Sequence, residues 1–356
     1  MQFLVLPGDG IGPEISAATV DVVTQAARLA GFKPEFSYAD IGFASLHKHG
    51  TTFTDAVFAQ CQQADAVILG PVSHNEYPAV DKGGLNPSGQ LRRRLDLYAN
   101  IRPARTRPGF QPQYGKALDL IVVRENTEGF YADRTMFMGT GEIMPTPDLA
   151  MAFRKVTREG STRIAESAFV LAMRRRKLVT AVHKANVLRT SDGLFLECVR
   201  AVAAKYPEVR YEEKLIDAMA ALLIRDPSVY DVIVTTNMFG DILSDEASEL
   251  SGSLGLAASL NAGSKHAVAQ AQHGSAPDIA GKGIANPASL IGSAAMLLAW
   301  LGERRGEASL THAATMIETA LDRVISDPAQ RTADLGGTLG TAAFTAKLIE
   351  ALRPAA

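Results

Sequence analysis

Cysteine is nearly missing from this chain of 356 residues: Cys61 and Cys198 are the only two. Two thiols make no disulfide framework. Both lie in apolar-patterned segments, which predicts buried free thiols and a reducing compartment. An excess of charge is missing as well. With 36 basic and 38 acidic side chains the formal net charge is −2, which argues against a general nucleic-acid binder, whose contact face leaves a basic excess. No apolar run is long enough to span a membrane. The longest, around Ser289 to Leu301, is short and rich in alanine and glycine, well under the roughly 20 residues a bilayer asks for. The chain enters the apolar run Phe3-Leu-Val-Leu6 with no basic stretch or cleavage site before it. The expectation is a cytoplasmic protein with no membrane partner. Repeats, low-complexity tracts and flexible linkers are absent too, so any domains should be interlocked.

What is present is ordinary globular material, 47% hydrophobic and 21% charged, long enough for two domains. Short β-branched runs alternate with amphipathic stretches. Phe3–Leu6 leads through a Gly/Pro turn into a predicted helix from Ile15 to Ala30. Ala66–Leu69, Leu120–Val123, Leu178–Val182 and Asp231–Thr236 each read as a strand followed by a polar or glycine-rich loop. The pattern predicts an α/β fold with a mostly parallel sheet and ligands beyond strand ends.

One loop stands apart. His273-Gly-Ser-Ala-Pro-Asp-Ile-Ala-Gly-Lys-Gly-Ile-Ala-Asn286-Pro287 has too many small residues and prolines for a helix or strand. It has few apolar side chains to bury. Such a loop exposes backbone N–H groups to a phosphate-bearing ligand, and Asp278 can accept a hydrogen bond from a ribose hydroxyl. The turn Gly8-Asp-Gly10-Ile-Gly12 lacks the G-x-G-x-x-G spacing and is a weak signal alone.

Asp241 and Asp245 open a predicted helix, Asp241 to Leu250, and their i, i+4 spacing puts both carboxylates on one face. Two acids there suit a hard divalent cation. Acids at a helix start are also stabilised by the helix dipole alone. Arg92, Arg93 and Arg94 share a predicted helix whose buried stripe is Leu91, Leu95 and Tyr98, so all three cannot face one ligand. Arg102 ends a short apolar run and Arg124 follows a strand. Guanidinium forks hold carboxylates bidentately. Lys184 follows the strand Leu178–Val182, and Tyr131 lies shortly after Arg124. A lysine desolvated near a metal can act as a base, and a tyrosine can deliver a proton.

The 273–287 loop, with Pro7-Gly-Asp-Gly-Ile-Gly-Pro-Glu14, Arg124-Glu-Asn-Thr-Glu-Gly129, His183-Lys-Ala-Asn186 and Asn237-Met-Phe-Gly-Asp-Ile-Leu-Ser-Asp245, resembles the isocitrate/3-isopropylmalate dehydrogenase family of β-decarboxylating dehydrogenases along nearly the whole chain. The resemblance implies two interlocked α/β domains, not the common Rossmann arrangement, with the active site in the cleft. The large domain would comprise 1–98 and 251–356, and the small domain 99–250 with the dimer contacts. It implies NAD bound by Ile11, Asn186, His273, Gly274, Ser275, Ala276, Asp278, Ile279 and Asn286. Mg²⁺ or Mn²⁺ would be held by Asp241 and Asp245, with Asp217 from the other subunit of a homodimer or tetramer. Arg92, Arg102 and Arg124 would grip a malate, Lys184 would act as base across the interface, and Tyr131 would protonate the enol after decarboxylation.

The resemblance thins before Arg92. Isopropylmalate enzymes present a leucine pair there, whereas this chain reads Pro87-Ser88-Gly89-Gln90-Leu91-Arg92. A small polar pocket does not reward an isopropyl group, since each buried methylene contributes only about 0.8 kcal/mol. Asn86 and Ser88 fall where isocitrate enzymes place a serine and an asparagine, with the two types exchanged. The stretches 92–105, 183–188 and 334–337 look most like homoisocitrate dehydrogenases. Isocitrate or homoisocitrate is therefore the expected substrate. The alternatives are 3-isopropylmalate, tartrate or D-malate, or, in another class, a non-catalytic regulatory subunit, which tends to lose residues that are all present here. Two further departures are Gln270-Ala271-Gln272, where the family usually has Glu-Pro-Val, and the Met- and Gly-rich 130–154 segment, expected to form an intersubunit arm.

Overall fold

The computed structural model describes residues 1–111, 116–131, 136 and 138–352. The strands are β1 (Gln2–Leu6), β2 (Glu35–Tyr38), β3 (Ala66–Leu69), β4 (Ala99–Arg105), β5 (Asp119–Glu125), β6 (Glu142–Thr146), β7 (Leu149–Ala152), β8 (Leu178–His183), β9 (Arg210–Leu215), β10 (Val232–Thr235), β11 (Leu260–Ala262) and β12 (Ala267–Gln270). The helices are α1 (Gly12–Ala30), α2 (Gly42–His49), α3 (Asp55–Gln63), α4 (Pro87–Arg94), α5 (Arg158–Met173), α6 (Ser191–Ala203), α7 (Ile216–Arg225), α8 (Asn237–Ser251), α9 (Ala288–Arg305), α10 (Ala308–Ser326) and α11 (Thr341–Ala351). The α/β class and the strands read from the sequence are present. α1 starts three residues ahead of Ile15, because Gly12 and Pro13 suit a first turn whose N–H groups need no intrahelical partner.

Ten strands form one sheet in the order β2-β1-β3-β12-β11-β4-β5-β10-β8-β9. The expectation of a mostly parallel sheet holds on both flanks. The centre differs: β12–β11, β11–β4 and β4–β5 are antiparallel. Three reversals make the two parallel flanks run in opposite directions. Pro103 lies in β4 beyond the end of β11, where β4 keeps a single neighbour and a strand residue without an N–H is tolerated.

Helices cover both faces, so the inner strands are largely apolar on both sides, while the edge strands β2 and β9 are polar and partly exposed. On the β1–β3 flank, α1, α9, α10 and α11 bury one cluster around Ile15, Leu298, Ile317 and Phe344, and α3 and α4 bury another around Phe58 and Leu91. On the β8–β10 flank, α5 and α6 pack around Phe169 and Phe195, and α7 and α8 around Leu223 and Leu243. Cys61 and Cys198 are free and buried, as expected. Among the described residues no helix is long and apolar enough to cross a membrane. β6 and β7 form a separate two-stranded sheet with every residue exposed. Residues 132–135 and 137 of the expected arm lie outside the described residues.

Candidate active site

Strand register assembles the site. Asn100 of β4 lies opposite Arg124 of β5 on one side and Asn261 of β11 on the other. Directly paired residues project from the same face, and so do residues two apart. Arg102 therefore joins Asn100 and Arg124 on that face, and Gln270, two beyond Val268, joins Asn261. A polar row crosses the middle of an otherwise apolar sheet. All of its buried members must find partners: Arg102, Asn100, Asn261 and Gln270 find one another, and Arg124 finds side chains of α8.

Arg124 is 1% exposed. Its Nε and Nη2 donate to Asn237 Oδ1 at 3.0 and 2.7 Å, and its Nη1 donates to Asp241. Arg102 Nη1 donates to Ser244 Oγ at 2.7 Å and meets Asp241 and Asp245 at 3.2 and 3.4 Å. One guanidinium nitrogen thus touches both acids, which confirms their shared face on α8. Tyr131 donates to Asp241 Oδ2 at 3.0 Å. Burial raises the Asp241 carboxyl pKa, but the charges of Arg124 and Arg102 and the tyrosine hydrogen bond outweigh it, leaving Asp241 below the usual carboxylate value. Burial and the like charge of Arg124 bring Arg102 down to about 10, against the pull of both acids.

Arg102, Arg124, Tyr131 and Asp241 line a cavity of about 300 Å³ together with Asn86, Ser88, Gln270 and Gln272; Asp245 stands just outside it. The structure separates the three neighbouring arginines. Arg92 lines the cavity, Arg93 pairs with Gln90 on the surface, and Arg94 lies over the Phe58 ring and pairs with Asp55. Asn86 Oδ1 caps α4 by accepting from Gly89 N, and Ser88 Oγ donates to Gln270. Both line the cavity with those oxygens already engaged.

The 273–287 loop supplies a second cavity, of about 230 Å³, lined by Ile11, Ala276, Ile279, Asn286 and Asp334, with His273 and Gly274 shared between the two. The N-terminal turn holds this loop. Ile11 N donates to Ser275 O at 2.9 Å, and a Cβ at Gly10 would lie 2.0 Å from that same oxygen, so only glycine fits. His273 Nε2 is buried and has no hydrogen-bond partner among the described residues. Burial lowers the His273 pKa, against its bond to Gly274 and the charge of Asp334. Asp278 is exposed on the short turn Pro277–Ile279.

Lys184, Asn186 and Asp217 line neither cavity. Lys184 Nζ pairs with Asp217, which is 64% exposed, and Asn186 is exposed. The bond to Lys184 holds the Asp217 carboxyl below its usual value. Among the described residues of one chain, no group of three acidic, histidine or cysteine side chains comes together to hold a metal ion. The sequence reading missed Asn100, Asn261, Ser259 and Asn237, and Asp334 as a wall of the second cavity. Asparagines inside short apolar strands were the available signal.

Three cationic forks, Arg92, Arg102 and Arg124, line one small cavity at the antiparallel centre of an α/β sheet, an arrangement suited to a small polyanion. Comparison with known proteins is more specific. The model of the isocitrate/isopropylmalate dehydrogenase family matches residues 2–352. A 3-isopropylmalate dehydrogenase of Archaeoglobus fulgidus is 41% identical, over 96% of this chain and 97% of that protein. An isocitrate/homoisocitrate dehydrogenase of Thermus thermophilus is also 41% identical, over 99% and 98%. The crystal structure of an isocitrate dehydrogenase from Methylococcus capsulatus superposes with a TM-score of 0.86 at 39% identity, covering 99% of both chains. The chain belongs to the isocitrate/isopropylmalate dehydrogenase family, and with it to the hydroxyacid dehydrogenases.

Proposed function

We propose that this chain catalyses the NAD- and divalent-cation-dependent oxidative decarboxylation of a 3-substituted malate, isocitrate or homoisocitrate in first place. The carrying observation is the single cavity that gathers Arg92, Arg102 and Arg124 beside Asp241. Forked cations suit the substrate carboxylates. Asp241 and Asp245 converge on one Arg102 nitrogen, so their oxygens already face a common positive centre. That donor set fits Mg²⁺ or Mn²⁺, with Asp217 of a second copy as third ligand. The shared wall at His273 and Gly274 lets one extended ligand reach both cavities. The unpartnered His273 Nε2 and the apolar Ile11 and Ile279 fit a nucleotide there. When bound, NAD accepts the hydride and the cation polarises the ketone.

The chain's own residues do the rest. The arginines orient the malate and neutralise its charge. Tyr131, already bonded to Asp241, delivers a proton to the enolate carbon. Lys184 of the neighbouring copy takes the substrate hydroxyl proton, and Asn186 meets the nicotinamide amide. Ser275 and Ala276 present loop backbone to the cofactor phosphates, and exposed Asp278 takes the ribose hydroxyl and repels a 2′-phosphate.

The homodimer is supported by surface that one copy leaves uncovered. Ile224 of α7 and Ile242 of α8 are more than half exposed. The β6–β7 sheet exposes Met144, Leu149 and Met151, and an isolated pair of strands is marginal in water. Residues 1–98 with 251–356 and residues 99–250 are proposed as the two domains, since the fully buried members of each core cluster come from one set, and only Tyr98, Ile101 and Phe110 pack across at the rims. The free cysteines fit a cytoplasmic setting. The test is NADH formation by the purified protein with Mg²⁺ or Mn²⁺ and a panel of malates. Turnover of isocitrate or homoisocitrate, abolished by chelation, is expected. Preference for 3-isopropylmalate would overturn the substrate reading, and silence on every malate would overturn the enzyme. Asp278→Lys should shift preference from NAD⁺ toward NADP⁺.

A further inference from the structure

The cavity wall contains a hydrogen-bond relay with a fixed direction. It starts at Arg102, whose Nε can only donate, and Asn100 Oδ1 accepts from it at 2.5 Å. That orients the Asn100 amide, so its Nδ2 donates onward to Asn261 Oδ1 at 3.2 Å. Asn126 Nδ2 donates to the same oxygen at 3.0 Å. Asn261 must then present its Nδ2 to Gln270 Oε1, at 3.2 Å, where Ser88 Oγ donates too, at 2.9 Å. Asn100 and Asn261 are at most 1% exposed, so flipping any member would set two donors or two acceptors against each other in a dry site. The Gln270 backbone is anchored as well, with its N–H on Ser259 O and its carbonyl accepting from Ser293 Oγ.

The end of the relay faces the cavity. Gln270 lines it, its oxygen is taken by two donors, and among the described residues its Nε2 has no partner. We infer that Gln270 is a specificity-determining residue whose amide nitrogen donates to an acceptor oxygen on the C3 substituent of the substrate, selecting a carboxylate-bearing substituent over an alkyl one. The inference rests on the proposed malate chemistry and deepens it. Glutamate, usual at this position in the resembled family, would offer the cavity an anionic acceptor instead. Ser88 contributes indirectly, by holding the Gln270 oxygen.

Calorimetric binding in the presence of Mg²⁺ tests this with isocitrate, which carries the third carboxylate, and D-malate, which has no C3 substituent. Gln270→Glu keeps both acceptor contacts and loses the donor; Gln270→Met loses both. Each variant should weaken isocitrate by roughly tenfold or more relative to D-malate, the scale of one hydrogen bond to a charged group. D-malate binding also reports that the variants fold. Unchanged isocitrate affinity, equal weakening of both ligands, or a wild type that does not favour isocitrate would each overturn the inference. Selective loss in a protein that turns over no malate with either nicotinamide nucleotide would leave Gln270 in this role and sink the dehydrogenase reading instead.

Discussion

Arg124 concentrates the electrostatics of the site in one side chain. It is almost wholly buried, and removing a buried charge from water is tolerable only because Asn237 and Asp241 receive its N–H groups. A lysine would carry the charge without the planar fork. Arg124→Lys should therefore lower kcat/KM by roughly 10- to 100-fold, from the loss of one charge-assisted hydrogen bond, as steady-state assays on the best malate would show. Cys61 illustrates the opposite environment. Burial pushes its thiol up to about 12, more than Arg94 and its backbone bond lower it. Only the thiolate reacts, so a thiol reagent at pH 8 should leave Cys61 unlabelled until denaturant is added.

At the scale of elements, α8 and β5 make the site by lying close together. The close approach occurs at Gly240, where a Cβ would stand 2.6 Å from the Arg124 side chain. Gly240→Ala should push α8 away from Arg124 and cost about 1–3 kcal/mol, as overpacking does. The Tm should fall, and KM should rise because Arg124 and Asp241 would lose their alignment. Helix α4 shows how local chemistry sets a register. Asn86 caps its start, Leu91 faces the core at 1% exposure, and Arg92 consequently turns to the cavity.

At the scale of the whole molecule, distant chain segments hold one another. Asp65 accepts from Gln2 N at 2.7 Å and from Arg305 at 2.6 Å, tying β1 to the end of α9. Burial raises the Asp65 carboxyl, yet the Gln2 bond and the Arg305 contact bring it below its ordinary 3.8. A depressed folded-state value stabilises the fold above the ordinary pKa, and that stability is lost as pH falls through the depressed one. Asp65→Asn should lower the Tm at pH 7, and the difference from wild type should shrink below about pH 3.8. Assembly is the other whole-molecule property. For the proposed dimer, replacing Met144 and Met151 on the exposed β6–β7 sheet with serine should shift sedimentation toward monomer and reduce activity, since Lys184 and Asp217 stand outside the cavities of their own chain.

The amino-acid order alone determined the alternation of strands and helices, the loop at 273–287 and the helix carrying Asp241 and Asp245, because period, turn chemistry and i, i+4 spacing are local properties. The resemblance of Arg102, Arg124 and Tyr131 to known motifs was legible for the same reason. Three things were decided only in the tertiary structure. Strand order turned the centre of the sheet antiparallel. Cross-strand register brought Asn100, Asn261 and Gln270, up to 170 positions apart, into one relay. Helix packing set Arg92, which the resemblance but not the helix pattern had singled out, against the cavity and turned Arg93 and Arg94 away from it. Each depends on which segments lie side by side, and pairing across a sheet is set by burial over the whole chain, so no short window of sequence records it.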